Sequence, residues 1–469
     1  MKRIRLITAT MLICATALSA AANNHHEAKK SAEVLVISSD GDGSLTESLY
    51  TFENPEEMKK HARKEHNKCN TTKHAAAAEL TKTINQDQFQ GVQAPMLVFA
   101  QKDNKFSFGV GGYINLRTSY DFNGIVENID FVTADIPTTS SYDTRQQIMM
   151  DASTSRLYFT GIVNTRAVGA IRVFADMDFR GNTGWNDTGV TNTYQPRLRT
   201  AYVNFLGITA GRDITTFCDL SAAPQTIDFQ GPNAYSFNYA TLLRYTYSCV
   251  DDRLEMAVAL EMPNLSATYG DAGNFEAIPQ RVPDVPMYIQ YRLGKKMEHH
   301  IRVSAVLRDM YAYNVTSAEN TSLLGWGVQF SGNLQPLKWL NIRLNGIYGK
   351  GITPYIQDLI GSGLDFTPDP SNATSIEATE MYAWQAALKF NITKKLSLNG
   401  GYSTARVRKD QGYYADDEYR VGQYAFGNIF YDITPRLKVA AEYLYGSRKN
   451  MDCLSNTANR VSAMAQFNF

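Results

Sequence analysis

The chain has 469 residues, with 46 Lys plus Arg against 46 Asp plus Glu, a balance that gives no electrostatic footprint for a nucleic-acid partner. Its 27 Tyr and 22 Phe are more than a soluble protein of this size usually carries and suit the aromatic girdles of a membrane barrel. Past the N-terminus no run approaches the ~18 consecutive apolar residues of a spanning helix, which excludes a helical membrane protein and leaves a β-barrel open.

Residues 1–22 read as a secretory signal peptide: Lys2, Arg3 and Arg5, an apolar run from Leu6 to Leu18, then small residues for cleavage after Ala21 or Ala22. Bulky Ile13 before Cys14 argues against a lipid-attachment site. Residues 23–100 are expected to form a periplasmic segment, partly helical or disordered. Asn54 is a candidate N-cap, with Pro55 at the first helical position, Glu56 and Glu57 in the first turn, and Lys59, Lys60, Arg63 and Lys64 after them. Residues 73–83 are also helix-prone. Asp40-Gly41-Asp42-Gly43 reads as a plain turn, because Leu45 stands where a calcium loop needs glycine.

From residue 101 to 469 a two-residue period takes over, as expected of a transmembrane antiparallel β-barrel. Phe106, Phe108, Val110, Ile114 and Leu116 share one face, while Ser107, Asn115 and Arg117 share the other. Leu324, Trp326, Val328 and Phe330 oppose Gln329 and Ser331; Tyr382, Trp384, Leu388 and Phe390 oppose Gln385 and Lys389. About sixteen strands are predicted, near 104–120, 153–164, 166–180, 195–206, 208–217, 240–250, 252–263, 285–293, 297–311, 321–333, 337–350, 379–391, 395–408, 418–432, 436–448 and 457–469. Tight turns such as Asn164-Thr165 and Leu206-Gly207 alternate with long segments such as 121–152, 218–239 and 351–378. Short periplasmic turns alternating with long outer loops define an all-β membrane barrel and have no counterpart in a soluble sandwich.

The alternation ends at Phe469, a terminal aromatic suited to the barrel-assembly machinery. Residues 218–239 form the third outer loop, carrying Asp219 and Asp228 with Pro224 and Gly231-Pro232 to bend it. Arg117, Arg172, Arg199, Arg244 and Arg460 fall in the middle or upper half of their strands. A charge facing lipid at that depth costs ~2–4 kcal/mol, so these arginines are expected to line the lumen. Two arrangements stay open: each arginine pairs with a wall acid such as Asp176, Asp178 or Glu442, or the arginines form a ladder facing an acidic loop and select anions. His299 and His300 lack a nucleophile partner or a second cluster and read as a solvated turn, so no catalysis, metal or cofactor is expected. Cys69 with Cys249, or Cys218 with Cys453, are the disulfide pairs that barrel geometry permits.

Gly211-Arg212-Asp213-Ile214-Thr215-Thr216-Phe217-Cys218-Asp219, followed by Pro224-Gln225-Thr226-Ile227-Asp228-Phe229-Gln230-Gly231-Pro232-Asn233, resembles the DcaP-like outer-membrane porins. Leu198 to Tyr202, Asn428 to Tyr431 and Glu442 to Arg448 are similar to the same family. Arg212 and Cys218 depart from its usual glutamine and methionine, and the N-terminal segment lacks the heptads of some members. The resemblance implies a homotrimeric porin of sixteen strands, with a preference for small dicarboxylates in some relatives. The expected function is passive diffusion of small polar solutes across the outer-membrane lipid; a surface adhesin or structural barrel is the alternative.

Overall fold

The computed structural model describes residues 32–39, 45–52, 80, 90–95, 97–100, 105–124, 126, 129–138, 146–181, 194–269, 274–295, 297–369, 372–408 and 414–469. The signal peptide, the helix proposed at Asn54 and Cys69 lie outside these residues.

Sixteen antiparallel strands close into one barrel. We number them β1 (Phe106–Asn123), β2 (Gln147–Asp151 continued by Arg156–Thr165), β3 (Gly169–Asp178), β4 (Arg197–Phe205), β5 (Ile208–Ile214), β6 (Tyr239–Cys249), β7 (Leu254–Glu261) and β8 (Val285–Leu293). Then follow β9 (His299–Asn314), β10 (Glu319–Leu337), β11 (Leu340–Lys350), β12 (Glu380–Asn391), β13 (Leu396–Val407), β14 (Tyr419–Asp432), β15 (Leu437–Asn450) and β16 (Ser455–Asn468). Each pairs with its neighbour in sequence, and β16 returns to β1 with Asn468 opposite Tyr113. Phe469 and Gly112 exchange two backbone bonds of 2.9 and 3.0 Å and seal the seam. Closure leaves the main wall without a free edge, which lipid demands because it offers backbone groups no partners.

The pleat sorts the side chains. On β1, Ile114 is 62% exposed toward lipid while the flanking Tyr113 and Asn115 are buried in the lumen; Phe330, Trp384 and Leu388 likewise look outward. At the Leu206-Gly207 turn both residues have positive φ (51° and 81°), the twist a two-residue hairpin needs.

Two features differ from the sequence reading. Strand β2 begins at Gln147, not at residue 153, and is interrupted where Asp151 turns back to accept from the Ser153 amide at 3.1 Å. The N-terminal segment is not only helical or irregular: Ala32–Ser39 and Leu45–Phe52 form an antiparallel hairpin. The first of these runs parallel to Leu97–Ala100, which in turn pairs with the start of β1, Leu97 opposite Val110. Val34-Leu35-Val36-Ile37 supplied the β-branched signal for it.

Candidate functional site: an eyelet built by three loops

Loop 3 (residues 215–238) leaves β5 and folds into the lumen rather than outward. Its root is fixed to the wall by side chains. Thr215 Oγ1 and the Thr216 amide both donate to Glu261 of β7 at 2.6 Å. Asp219 caps a 3-10 turn at Leu220–Ala222 through the Ser221 amide. Its Oδ2 accepts from His300 Nε2 of β9 at 2.8 Å and from Ser331 Oγ of β10 at 2.6 Å. Burial pushes the Asp219 carboxyl up, but the His300 hydrogen bond and charge, with Arg302 and Ser331, outweigh it and hold the group at about 2. The solvated-turn reading of the histidines is corrected here: His300 is buried and anchors the loop, and His299 Nδ1 accepts from the Gln335 amide at 2.8 Å.

The tip of loop 3 crosses to the far wall. Glu442 of β15 accepts from the Ile227 and Asp228 amides at 3.0 and 2.8 Å and from Asn428 Nδ2 at 2.8 Å. It therefore latches the loop instead of pairing with an arginine. Asp228 accepts from the Phe131 amide of loop 1 (residues 124–146) at 3.0 Å and from Tyr424 of β14 at 3.1 Å. Burial, and then the charge of Asp130, push the Asp228 carboxyl up to about 6.

Loop 6 (residues 351–379) closes over this layer. The Gln357 and Asp358 amides donate to the Tyr235 and Asn233 carbonyls of loop 3 at 3.0 and 3.1 Å. Tyr419 and Thr133 donate to Asp358, whose carboxyl burial raises to about 6. Phe217, Tyr355, Ile356 and Leu359 form the apolar contact between the two loops. Below them, Arg308 of β9 bridges Asp284 and Asp365 at 3.1 and 2.9 Å.

Against the ring of Phe229, at the loop-3 tip, lies a basic wall from β1 to β4. Arg117 bonds Asp130 and Asp151 at 3.1 and 2.9 Å. Arg180 bonds Asp130 at 2.6 Å, Arg156 pairs with Asp176, and Arg197 and Arg199 share Asp178 at 2.5 and 3.0 Å. The guanidiniums of Arg117, Arg180 and Arg199 stand 5.6, 5.1 and 5.2 Å from the Phe229 ring centre.

Of the expected residues, Arg117 and Arg199 meet at this wall, and Phe229 brings Asp228 beside it. The others are elsewhere. Arg460 is fully buried, bidentate on Asp121 at 2.5 and 2.9 Å, and donates to the Ile129 and Val126 carbonyls, so it holds loop 1. Arg244 bonds Asp213 at 2.5 Å on the β5–β6 wall. Arg172 lies opposite Ile162 and Asn204, about four residues or ~13 Å below Asp176 and close to the periplasmic turn, lower than its sequence position implied. Arg156, Arg180 and Arg197 belong to this wall without having been expected there; the lipid-cost argument that singles out Arg199 on β4 applies equally to Arg197, two residues away. Cys218, Cys249 and Cys453 are free thiols, so the Cys218–Cys453 bridge does not form.

The model of the DcaP outer membrane protein family matches residues 61–469. Among solved structures, the outer-membrane channel DcaP of Acinetobacter baumannii is similar at 18% identity and a TM-score of 0.66, covering 78% of this chain and 97% of that one. In vitro folded OmpT of Vibrio cholerae aligns at 10% identity and a TM-score of 0.48, over 78% of this chain and 98% of its own. An anion-selective porin from Comamonas acidovorans aligns at 10% and 0.47, over 78% of this chain and 100% of its own. No curated protein matches the chain in sequence. Matched along the whole barrel, the chain belongs to the DcaP outer membrane protein family and is an outer-membrane porin, not an enzyme.

Proposed function

We propose that the channel passes small polar solutes by passive diffusion and favours small anions, dicarboxylates among them, at the wall beside Phe229. The observation that carries this is the charge count there: Arg117, Arg156, Arg180, Arg197 and Arg199 meet Asp130, Asp151, Asp176 and Asp178. Five guanidiniums stand against four carboxylates, and the fifth acid beside them, Asp228, gains its charge only around pH 6, so the wall carries a positive excess that narrows as Asp228 ionises. A guanidinium fork binds a carboxylate through two parallel bonds, so a solute carboxylate gains more there than a halide. Where the wall pairs its own charges, selectivity is mild.

The working assembly proposed is a homotrimer in outer-membrane lipid. The leader at residues 1–22 is removed, the N-terminal segment lies on the periplasmic side up to residues 90–95, which enter the lumen, and Phe469 is presented to the barrel-assembly machinery. Single-channel recording in a planar bilayer, with reversal potential under a salt gradient, tests both parts. Steps closing in threes, with an anion preference that falls in Arg117→Gln and Arg180→Gln, support the reading. A folded, heat-modifiable barrel without conductance overturns it in favour of an adhesin.

A further inference from the structure

Between the N-terminal strands and β1 the chain does something a passive linker does not. The strand Leu97–Ala100 lies beside the first residues of β1, and the segment before it turns into the lumen. Pro95 presses so closely on β1 that a Cβ on Gly109 would sit 2.8 Å from its Cγ. The Gln93 carbonyl accepts from the Tyr158 hydroxyl at 2.5 Å, and Gln93 Nε2 donates to the Pro435 carbonyl in the β14–β15 turn at 3.3 Å. Val92 is buried among Tyr113, Tyr158 and Phe174. The segment thus climbs from the periplasmic rim and reaches the eyelet at Gln90.

Gln90 joins three elements there. Its carbonyl oxygen accepts from Arg156 Nη1 at 2.5 Å, its side-chain Oε1 accepts from Arg199 Nη2 at 2.8 Å, and its Nε2 donates to the Phe229 carbonyl of loop 3 at 2.5 Å. It does so with φ at 56°, a left-handed backbone that a residue other than glycine keeps only where its surroundings over-determine it. Two oxygens of one residue are offered to two neighbouring guanidiniums, as the oxygens of a solute carboxylate would be, but without a negative charge.

We propose that Gln90 is a selectivity-determining residue of this channel: it occupies Arg156 and Arg199 as a neutral surrogate for a carboxylate and pins the loop-3 tip, so that passing anions compete with it. The proposal deepens the anion reading and rests on it for the direction of the selectivity change. The presence of the segment inside the lumen can be tested without that reading.

Two experiments on the full chain decide it. Gln90→Ala vacates Arg199 Nη2 without changing the charge count and should raise the anion-to-cation permeability ratio about twofold, a small part of the worth of a hydrogen bond to a charged group that a passing anion then takes over. Gln90→Glu places a fixed carboxylate on the same guanidinium and should bring the ratio to or below wild type. Separately, Pro95→Cys with Gly109→Cys, in a background carrying Cys69→Ser, Cys249→Ser and Cys453→Ser, should oxidise to a disulfide in the folded barrel. The Pro95 Cβ lies 3.4 Å from the Cβ position on Gly109, at the short end of the ~3.5–4.5 Å such a bond spans. The locked channel should keep wild-type conductance. Failure of the cysteines to join in a heat-modifiable barrel overturns the placement of the segment, whatever the selectivity. An unchanged ratio in Gln90→Ala, while Arg117→Gln and Arg180→Gln lower it, overturns the role of Gln90 alone. If none of the three moves the ratio, the anion reading has failed and the selectivity role falls with it.

Discussion

At its root, loop 3 is held by a carboxylate that the wall keeps charged; at its tip, by one whose charge the wall makes costly. Asp219 faces His300 and Ser331, with Arg302 close by, and is held at about 2. Asp228 faces Tyr424 and backbone amides, with Asp130 adding a like charge, and is pushed up to about 6. The same residue type in one loop, buried to a similar degree, therefore does two jobs: an electrostatic anchor, and a hydrogen-bonding contact that tolerates a proton. The carboxylates at the two ends of the loop therefore respond to pH in opposite directions.

The root should be the costlier end to break. Asp219→Ala leaves His300 and Ser331 without their acceptor inside the wall, and uncaps the 3-10 turn at Leu220–Ala222. Removing one partner of a buried charged pair costs ~3–5 kcal/mol. The expected outcome is a barrel that folds yet shows a noisy, enlarged unit conductance, with loop 3 open to protease added from outside. A quiet, wild-type step would mean that the root is held by the Thr215 and Thr216 contacts to Glu261 instead.

The next effect separates the two ends by pH. Asp228 has a folded value above the ordinary aspartate value of ~4, so the docked tip binds a proton that a detached tip has released. Its docking is strongest below pH ~4, weakens as pH rises toward 6, and is flat beyond; a shift of about two units corresponds to ~3 kcal/mol across that window. Asp358 of loop 6, also at about 6, adds in the same sense. Asp219 runs oppositely: its contribution is present above pH ~4 and is lost as pH falls toward 2. Open-channel noise measured from pH 7 downward should fall to a minimum near pH 4 and rise again below it. Asp228→Asn should shrink the first limb to the part that Asp358 carries and leave the second.

How much of this was legible in sequence follows from the period. A lumen and a lipid phase on opposite faces force alternation through the strands, so β8 could be placed at 285–293, the span Val285–Leu293 adopts. Arg117 of the basic wall falls on that same alternation, and so does Glu442. What Glu442 does was not legible, because its partners Ile227 and Asp228 lie more than two hundred residues away on a loop without any period. Loop 6 was visible only as a long connection; its inward fold depends on Tyr419, Arg308 and the loop-3 carbonyls, which no local pattern links to it. His300 misled for a related reason: beside a short turn, a histidine reads as solvated until Asp219 arrives from another loop. The inward path of Gln90 to Pro95 had even less signal, since Gln90 and Gln93 sit in no periodic pattern and their partners lie on distant elements.

The smallest effect tests the tip most sharply. Tyr424 donates to Asp228 Oδ2 at 3.1 Å, and a hydroxyl donor favours the ionised carboxylate over the protonated one. Tyr424→Phe removes that preference without changing shape, so the Asp228 value should climb further above 6. At pH 7 the variant tip should dock about 1 kcal/mol more weakly, the worth of one buried hydrogen bond. At pH 4.5, where Asp228 already carries its proton, the difference from wild type should shrink toward zero, because the lost donor then served an acceptor of weaker demand. A pH-independent deficit would instead mark Tyr424 as packing for Phe131 and Phe426, its ring neighbours at 6.0 and 6.1 Å, and would place the control of the tip on Glu442 alone.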